Sequence, residues 1–400
     1  MPTTSYRAAC HISNLHDTDA AAHEVVTSVA SQMHGETDLA VVFVSGHHTN
    51  RVDVVTSTIY DLLAPSTVIG CTGVSVAGNE HELEDQPGIV VLALSLPGVE
   101  LHTFTDSDID WPRSKDDPER LRAAMKADHP DLRGVMLLAD PFTPIMGLLP
   151  ALSEVLERSL DEPAVPMFGG IASAGRQAGD NRLLRNDEIR NGGLIGLSFT
   201  GAVRIETLVS QGCRPIGKPL IITGAKRNVI ESLGGKPAMA AFQELAVELS
   251  DQERELIQDK GLFVGRVVSE YREHFGRGDF LVRNVIGVDR DHGLLAVSDL
   301  VRVGQTVQFH VRDAQTAHED LEMLLAAQQF DDAPLAGVLF TCNGRGTHLF
   351  NEPDHDVSTI RRAMPGLPIA GFSAAGEIGP VGNSTFLHGH TASIALFRGM

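Results

Sequence analysis

One motif occurs three times along the chain, and each time a short apolar run breaks into a loop of glycine, serine, threonine and alanine. The three versions are VIGCTGVSVAG from Val68, PMFGGIASAG from Pro166 and IAGFSAAG from Ile369. Apolar runs of this length bounded by small residues read as buried strands that end in tight loops. Repetition at this scale predicts that equivalent strand ends are brought together in space. Small residues there have a structural reason of their own, because they let backbones approach closely.

The elements around the motif repeat as well. Ala20 to His34 reads as a helix, with Val25, Val26, Val29 and Met33 on one face and Asp17, Thr18 and Asp19 as candidate caps. Leu39 to Ser45, LAVVFVS, reads as a strand buried on both faces. A helix over Asn50 to Leu63, the strand Thr67 to Thr72, and two strands flanking Pro97-Gly98 complete the first unit. In the second, Leu132 to Leu138 matches the first strand, Met146 to Leu160 the helix, and Gly193 to Thr200 with Val203 to Val209 the final pair. A third, partial copy runs from Gly337 through a helix near His355 to Met364, then Ile369, then TASIALF.

Between these copies lie segments of a different kind. Asp106 to Glu119 is charged, contains Pro112 and Pro118, and reads as an exposed connection. Residues 211 to 225, with Gly212, Pro215, Pro219 and Gly224, read as the domain boundary. Beyond it, Ala238 to Ser250 and Asp251 to Gln258 read as helices, and Asp279 to Val288, Leu294 to Val297 and Gln305 to Val311 as antiparallel strands. Asp313 to Gln328 reads as an amphipathic helix. The expected fold is α/β, with mixed sheets covered by helices. Its pseudo-repeated units, about 38–104 and 132–209, fall in a first domain over 1–225, and a second domain spans 226–400.

Composition narrows the function. At 400 residues and 42% hydrophobic content the chain can bury a large core. A formal charge of −20 argues against nucleic acid or an anionic membrane as partner, since both need a basic face. Cys10, Cys71, Cys213 and Cys342 are far apart and show no metal or disulfide spacing, which suits a reducing cytoplasm. No basic n-region opens the chain and no apolar run approaches the ~18 residues of a membrane span, so a cytoplasmic location is expected.

The site is expected at the strand ends. Cys342, Asn343, Arg345 and Gly346 follow one apolar run; Ser373, Gly376 and Glu377 follow another; Cys71, Thr72 and Ser173 hold the matching places in the earlier copies. Backbone donors at such loops suit a small polar molecule. Arg345 can bind a carboxylate bidentately or pair with Glu377 to tie two loops. Cys342 beside Arg345 reads either as an activated thiol or as inert packing. His388 and His390 straddle Gly389 and share a face. Nucleotide and hydrolase motifs are absent: there is no GxxxxGK[ST], and Gly371 to Ala375 misses the nucleophile elbow at its last position. No complete catalytic motif is present, and the protein is expected not to be an enzyme.

The strings VFVSGHH, VIGCTG, GGIASAG, FLVRNVIGVD, LFTCNGRG, GFSAAGEIGP and LHGHTASIALF together resemble the FIST domain family, over most of residues 30 to 397. The resemblance implies a sensory module for small ligands, amino acids among them, as found in bacterial signalling proteins and eukaryotic F-box proteins. The module fills the chain, so the signal is expected to leave through a separate signalling protein or through homo-oligomerisation. Some members of the family are described as haem-binding sensors of nitric oxide, for which His47, His48, His388 or His390 would be the axial candidates. With 5% aromatic residues and no CxxCH, no cofactor is expected. Two other readings stay open: a thiol enzyme using Cys342 with His348 or His388 as base, and a protein-binding scaffold.

Overall fold

The structure, a computed structural model, describes residues 5–158, 162–271 and 274–400. It divides into two compact units. The first joins Met1–Val209 to Glu322–Leu387 and Thr391–Met400; the second is Ser210–Leu321 with His388–His390. The expected division near residue 225 is therefore displaced, and the chain returns to the first unit after leaving it. The reason is strand pairing: Ala336–Cys342, Ile369–Ala374 and Thr391–Gly399 complete a sheet that begins with Val203–Gln211.

Within the first unit one sheet plan is built three times. Arg7–Ser13, Ile89–Ser95, Leu39–Ser45 and Thr67–Gly73 lie side by side in that order. Val99–Thr105, Leu194–Gly201, Leu132–Ala139 and Met167–Ile171 repeat the order, as do Val203–Gln211, Thr391–Gly399, Ala336–Cys342 and Ile369–Ala374. Each central pair is parallel and each outer pairing flanking it is antiparallel. The repeat read from the sequence is thus present with its third copy complete, but its bounds are shifted: Val99–Thr105 and Val203–Gln211, expected to close the first and second units, are the edge strands of the second and third sheets, and the strands flanking Pro97-Gly98 do not pair with each other.

Each sheet is finished by a hairpin from another copy. Leu183–Arg185 and Glu188–Arg190 extend the first sheet, Glu377–Val381 and Ser384–His388 the second, and Val76–Gly78 and His81–Leu83 the third. The exchange is cyclic, so no copy can complete its own sheet.

The central strands are buried on both faces, as continuous apolar runs require; all seven residues of Leu39–Ser45 are buried. Their inner faces meet in one core containing Phe43, Phe168, Phe199, Phe340, Phe372 and Phe397. On the outer face of the first sheet lie the helices Thr18–Gln32 and Val52–Leu63. The first of these begins where Asp17 Oδ1 accepts from the Ala20 amide at 2.9 Å, as an N-cap does. On the second sheet lie Pro118–Met125 and Ile145–Glu154; the helix expected over Met146 to Leu160 stops at Glu154, and its last two expected positions, 159 and 160, fall outside the described residues.

The second unit is antiparallel. Cys213–Lys226, Thr306–Arg312, Phe263–Val267, Phe280–Asp289, Leu294–Val297 and Val229–Leu233 pair in that order, and the last pairs again with the first, closing a ring. Cys213–Lys226, which covers most of the stretch 211–225 expected as the domain boundary, is a 14-residue strand that serves two neighbours and shifts register between Ile216 and Leu220, around Pro219. The helices Ala238–Glu248 and Asp251–Lys260 pack on this ring. Among the described residues no helix is long and apolar enough to cross a membrane.

Candidate functional site

The three small-residue loops meet, as the repeat predicts, but they face one another. Gly70, Gly169 and Gly371 hold equivalent places opposite Val42, Leu137 and Leu339. A Cβ on any of them would lie only 1.8 to 2.4 Å from that neighbour's carbonyl oxygen, far inside van der Waals contact. Close approach accounts for all three glycines. At the loop tips the Ser173 amide donates to Thr72 O at 3.2 Å and the Ala375 amide to Ile171 O at 2.9 Å. The Ser373 amide donates to Ser75 O at 3.0 Å. The Ser173 hydroxyl accepts from the Val74 amide at 2.9 Å and donates to Ser373 O.

Thr72 is tied into the same region: its amide donates to Arg182 O and its hydroxyl accepts from the Arg182 amide at 2.9 Å. Cys71 is fully buried and burial pushes its thiol well up. The Gly376 carbonyl accepts from the Ile171 amide at 2.9 Å. Loop donors that would face a ligand are thus engaged within the unit.

Arg345 and Glu377 are both buried, but they do not pair with each other. The Arg345 guanidinium grips Asp356 side-on, Nε to Oδ2 and Nη2 to Oδ1, both at 2.8 Å. Thr341 Oγ1 donates to the same carboxylate at 2.9 Å, and His355 Nδ1 lies 3.0 Å from it. Burial disfavours the Asp356 charge, but Arg345 and His355 outweigh it and hold the carboxyl well below its usual range. Phe350 lies under the Arg345 guanidinium and stacks on His355. Glu377 sits instead on the strand that crosses to the second sheet, opposite Gly170, and accepts from the Thr391 amide and hydroxyl. The hairpin exchange is what separates the two.

Beside Arg345 is a cleft of about 30 Å³ reached by Ser75, Glu82, Glu84, Asn343, His348 and Ser373. That is room for one or two water molecules, short of an amino acid. Glu82 accepts from the Val357 amide at 2.9 Å, and burial together with the Asp356 charge raises its carboxyl to about 8. Cys342 is 8% exposed, with Sγ 3.9 Å from Asn343 Oδ1. Gly346 has φ +57° and lies against the Glu84 carboxylate. His388 is buried at a strand end.

His390 belongs elsewhere. In the second unit a cavity of about 630 Å³ is walled by Phe242, Phe263, Leu262, Met239 and Ile286, with Asn284, Arg312 and His390 at its polar side. His390 takes φ +66°, and its Nε2 donates to Asn284 Oδ1 at 2.6 Å. Its ring stands edge-on to Phe263 with centroids 4.6 Å apart. Burial first, then the positive charges of Arg312 and Arg283, lower its basicity to about 3, so the ring is neutral and Nδ1 carries a lone pair. Nδ1 is buried and finds no hydrogen-bond partner among the described residues, and the same holds for Arg312 Nε and Nη2. The cavity size is that of ordinary small-molecule sites.

Arg312 was not among the residues singled out in the sequence, which places it one position past the strand expected over Gln305 to Val311, where a terminal arginine has no distinguishing signal. Among the described residues no group of three or more His, Cys, Asp or Glu could hold a metal ion. His48, an axial-ligand candidate, is buried with Nδ1 2.9 Å from Thr18 Oγ1.

Comparison with known proteins gives the family. The FIST N domain matches residues 38–236 and the FIST C domain residues 238–380. An uncharacterized protein of Mycobacterium tuberculosis is 38% identical over 394 residues, 98% of this chain and 99% of that one. An uncharacterized protein of Mycobacterium bovis is 38% identical over 384 residues, 95% and 96% of the two chains. Among solved structures, a cyanuric acid hydrolase from A. caulinodans is 9% identical with a TM-score of 0.38, covering 99% of each chain. A chorismatase is 10% identical with a TM-score of 0.30, covering 98% of this chain and 99% of its own. The chain belongs to the FIST family of sensory and signal-transduction domains, carrying both its N and its C domain.

Proposed function

We propose that this protein is a cytoplasmic sensor, without catalysis or cofactor, that takes a small polar molecule into the cavity beside Arg312 and His390 and signals through a separate protein. The observation that carries this reading is a cavity of about 630 Å³ in the second unit, bordered by Phe242, Phe263, Leu262 and Met239 together with Asn284, Arg312 and His390. A cavity of this size with mostly apolar walls and a few polar side chains is the ordinary form of a small-molecule site. The strand-end loops around Ser173 and Ser373 offer no comparable space.

The test is a thermal-shift screen of the full chain against amino acids and organic acids, with hits confirmed by calorimetry. Hits that bind the native protein and are lost in Arg312→Met support the reading. A screen without hits, or hits indifferent to Arg312→Met, would turn it toward a protein-binding scaffold. The thiol-enzyme alternative requires turnover lost in Cys342→Ala, and the haem alternative a Soret band lost on replacing one histidine; neither is expected.

A further inference from the structure

We propose that the second unit docks an extended, acidic segment of the partner protein, which pairs as a strand with the open edge of Phe280–Asp289 and sends an apolar side chain into the cavity beside it. This names the kind of partner that the reading above leaves open, and it does not require a small molecule to be bound.

The first ground is a gap in the sheet. Phe263–Val267 lies between Thr306–Arg312 and Phe280–Asp289. Its pairing begins at Phe263, opposite His310 on one side and Asn284 on the other. Both neighbours run past that point, to Arg312 and to Asp289. The chain reaches the strand late because Gly261, with φ +89°, first ends the helix Asp251–Lys260. Gly287, Val288 and Asp289 therefore pair on one side, with Ala296, Leu295 and Leu294, and have no strand on the other among the described residues. The cavity lies in this gap, for Leu262, Phe263, Ile286, Val288 and Arg312 all border it. An unpaired strand edge is a template for another chain, and a pocket along it takes alternate side chains.

The second ground is the surface offered there. Ile286 and Val288 are 60% and 49% exposed, and Met239 and Phe242 of the helix Ala238–Glu248 border the same cavity, so an apolar side chain has a place to enter. The third ground is charge. Acidic residues outnumber basic ones 52 to 32 in the chain, yet the charged residues bordering this cavity are Lys260, Arg290 and Arg312, with no aspartate or glutamate among the described residues. Asp259, Asp289 and Asp291 adjoin these cations in sequence without bordering the cavity. An acidic segment complements this lining, whereas a second copy of the chain would bring a face of the same sign to the joined edges.

The experiment is fluorescence polarisation of the full chain with an arrayed set of end-blocked hexapeptides, in which glutamate or lysine alternates with each apolar residue. Glutamate peptides should bind about tenfold or more tightly than their lysine counterparts. The tightest is then remade with every second amide N-methylated, in either phase, and one of the two phases should lose about tenfold or more. Arg290→Glu, at an exposed position, should narrow the preference for glutamate, with circular dichroism checking the fold. Hydrogen exchange over residues 286–289 should slow when the peptide binds. Lysine peptides that bind as well, both N-methylated forms binding like the parent, unchanged exchange over 286–289, or no binding by any hexapeptide at millimolar concentration would each overturn the proposal. A dimer of the chain that protects 286–289 would give the edge to a second copy and overturn it as well. Small-molecule hits lost in Arg312→Met would stand through any of these failures, so the two readings fail separately.

Discussion

Arg345 lies just past the strand Ala336–Cys342 and Arg312 ends the strand Thr306–Arg312, and the fold treats them in opposite ways. In the three-copy unit the Nε and Nη2 edge of Arg345 is closed on Asp356, whose second oxygen also takes Thr341. In the antiparallel unit the same edge of Arg312 is buried and unpartnered among the described residues, beside a cavity. A buried ion pair completed by further hydrogen bonds is a structural device, whereas a buried guanidinium edge left open is held at some expense in stability. The strand-end loops belong with Arg345: their polar groups satisfy one another. The contrast separates an arginine edge that the fold satisfies from one that it buries without a partner among the described residues.

The largest expected effect lies where the three-copy unit is tightest. Gly169→Ala directs a methyl group into the Leu137 carbonyl, at a backbone φ of +153°. A loss of about 3 kcal/mol or more is expected, read as a lowered urea midpoint or as failure to accumulate folded protein. A Gly169→Ala protein with the native midpoint would show that the sheet can open at this point and that its loops are not rigidly closed.

The second test sets the two arginines against each other. Arg345→Met leaves Asp356 buried without its cation and should destabilise by about 3–5 kcal/mol. Arg312→Met removes a guanidinium that makes no bond through its buried edge, and should change stability by about 1 kcal/mol or less, in either direction. Equal losses in the two variants would mean that Arg312 is as structural as Arg345.

The third uses pH. The Glu82 carboxyl is raised from its ordinary value near 4.5 to about 8 by burial and by Asp356. The folded state thus holds a proton that the unfolded chain releases, so the contribution of Glu82 is fully present below pH 4.5. It fades as pH rises toward 8, at up to about 1.4 kcal/mol per pH unit. Urea midpoints of the native protein relative to Glu82→Gln should therefore fall between pH 5 and pH 8, and a parallel pair of curves would refute the assignment.

How much of this was legible in the sequence follows from what kind of information each feature carries. Leu39–Ser45 and Ala336–Cys342 were readable because a strand buried on both faces must be apolar throughout. The threefold recurrence was readable because the glycine facing a neighbouring carbonyl recurs in each motif. The hairpin exchange was not: Val76–Gly78 and Leu183–Arg185 are three residues long, and nothing local says which sheet they join. That exchange also decided the fate of Glu377, carried to the second sheet and away from Arg345. Cys213–Lys226 was hidden by Pro215 and Pro219, which mark a linker in sequence and sit in a strand with shifted register in the fold. Arg345 and Asp356 are eleven positions apart across a loop, beyond any spacing rule, and Arg312 gains its meaning only from a cavity. His390 alone among the expected site residues lines that cavity.

The smallest effect concerns the join of the three loops, and it tests how nearly equivalent the copies are. Val74, Ser173 and Ala375 occupy one position in the repeat, and Thr72, Ile171 and Ser373 another. Two of the three links between these positions are direct amide-to-carbonyl bonds, from Ser173 to Thr72 and from Ala375 to Ile171. In the third, the Ser173 hydroxyl stands between the Val74 amide and the Ser373 carbonyl, accepting from one and donating to the other. Ser173→Ala removes that bridge and leaves a donor and an acceptor to find each other or go unmet, at about 1–2 kcal/mol. Ser373→Ala keeps the carbonyl and removes only a hydroxyl that bridges nothing among the described residues, so a change within about 0.5 kcal/mol is expected. If both serines prove equally dispensable in urea unfolding, the loops close without the bridge, and the third link is as direct as the other two once the hydroxyl is gone.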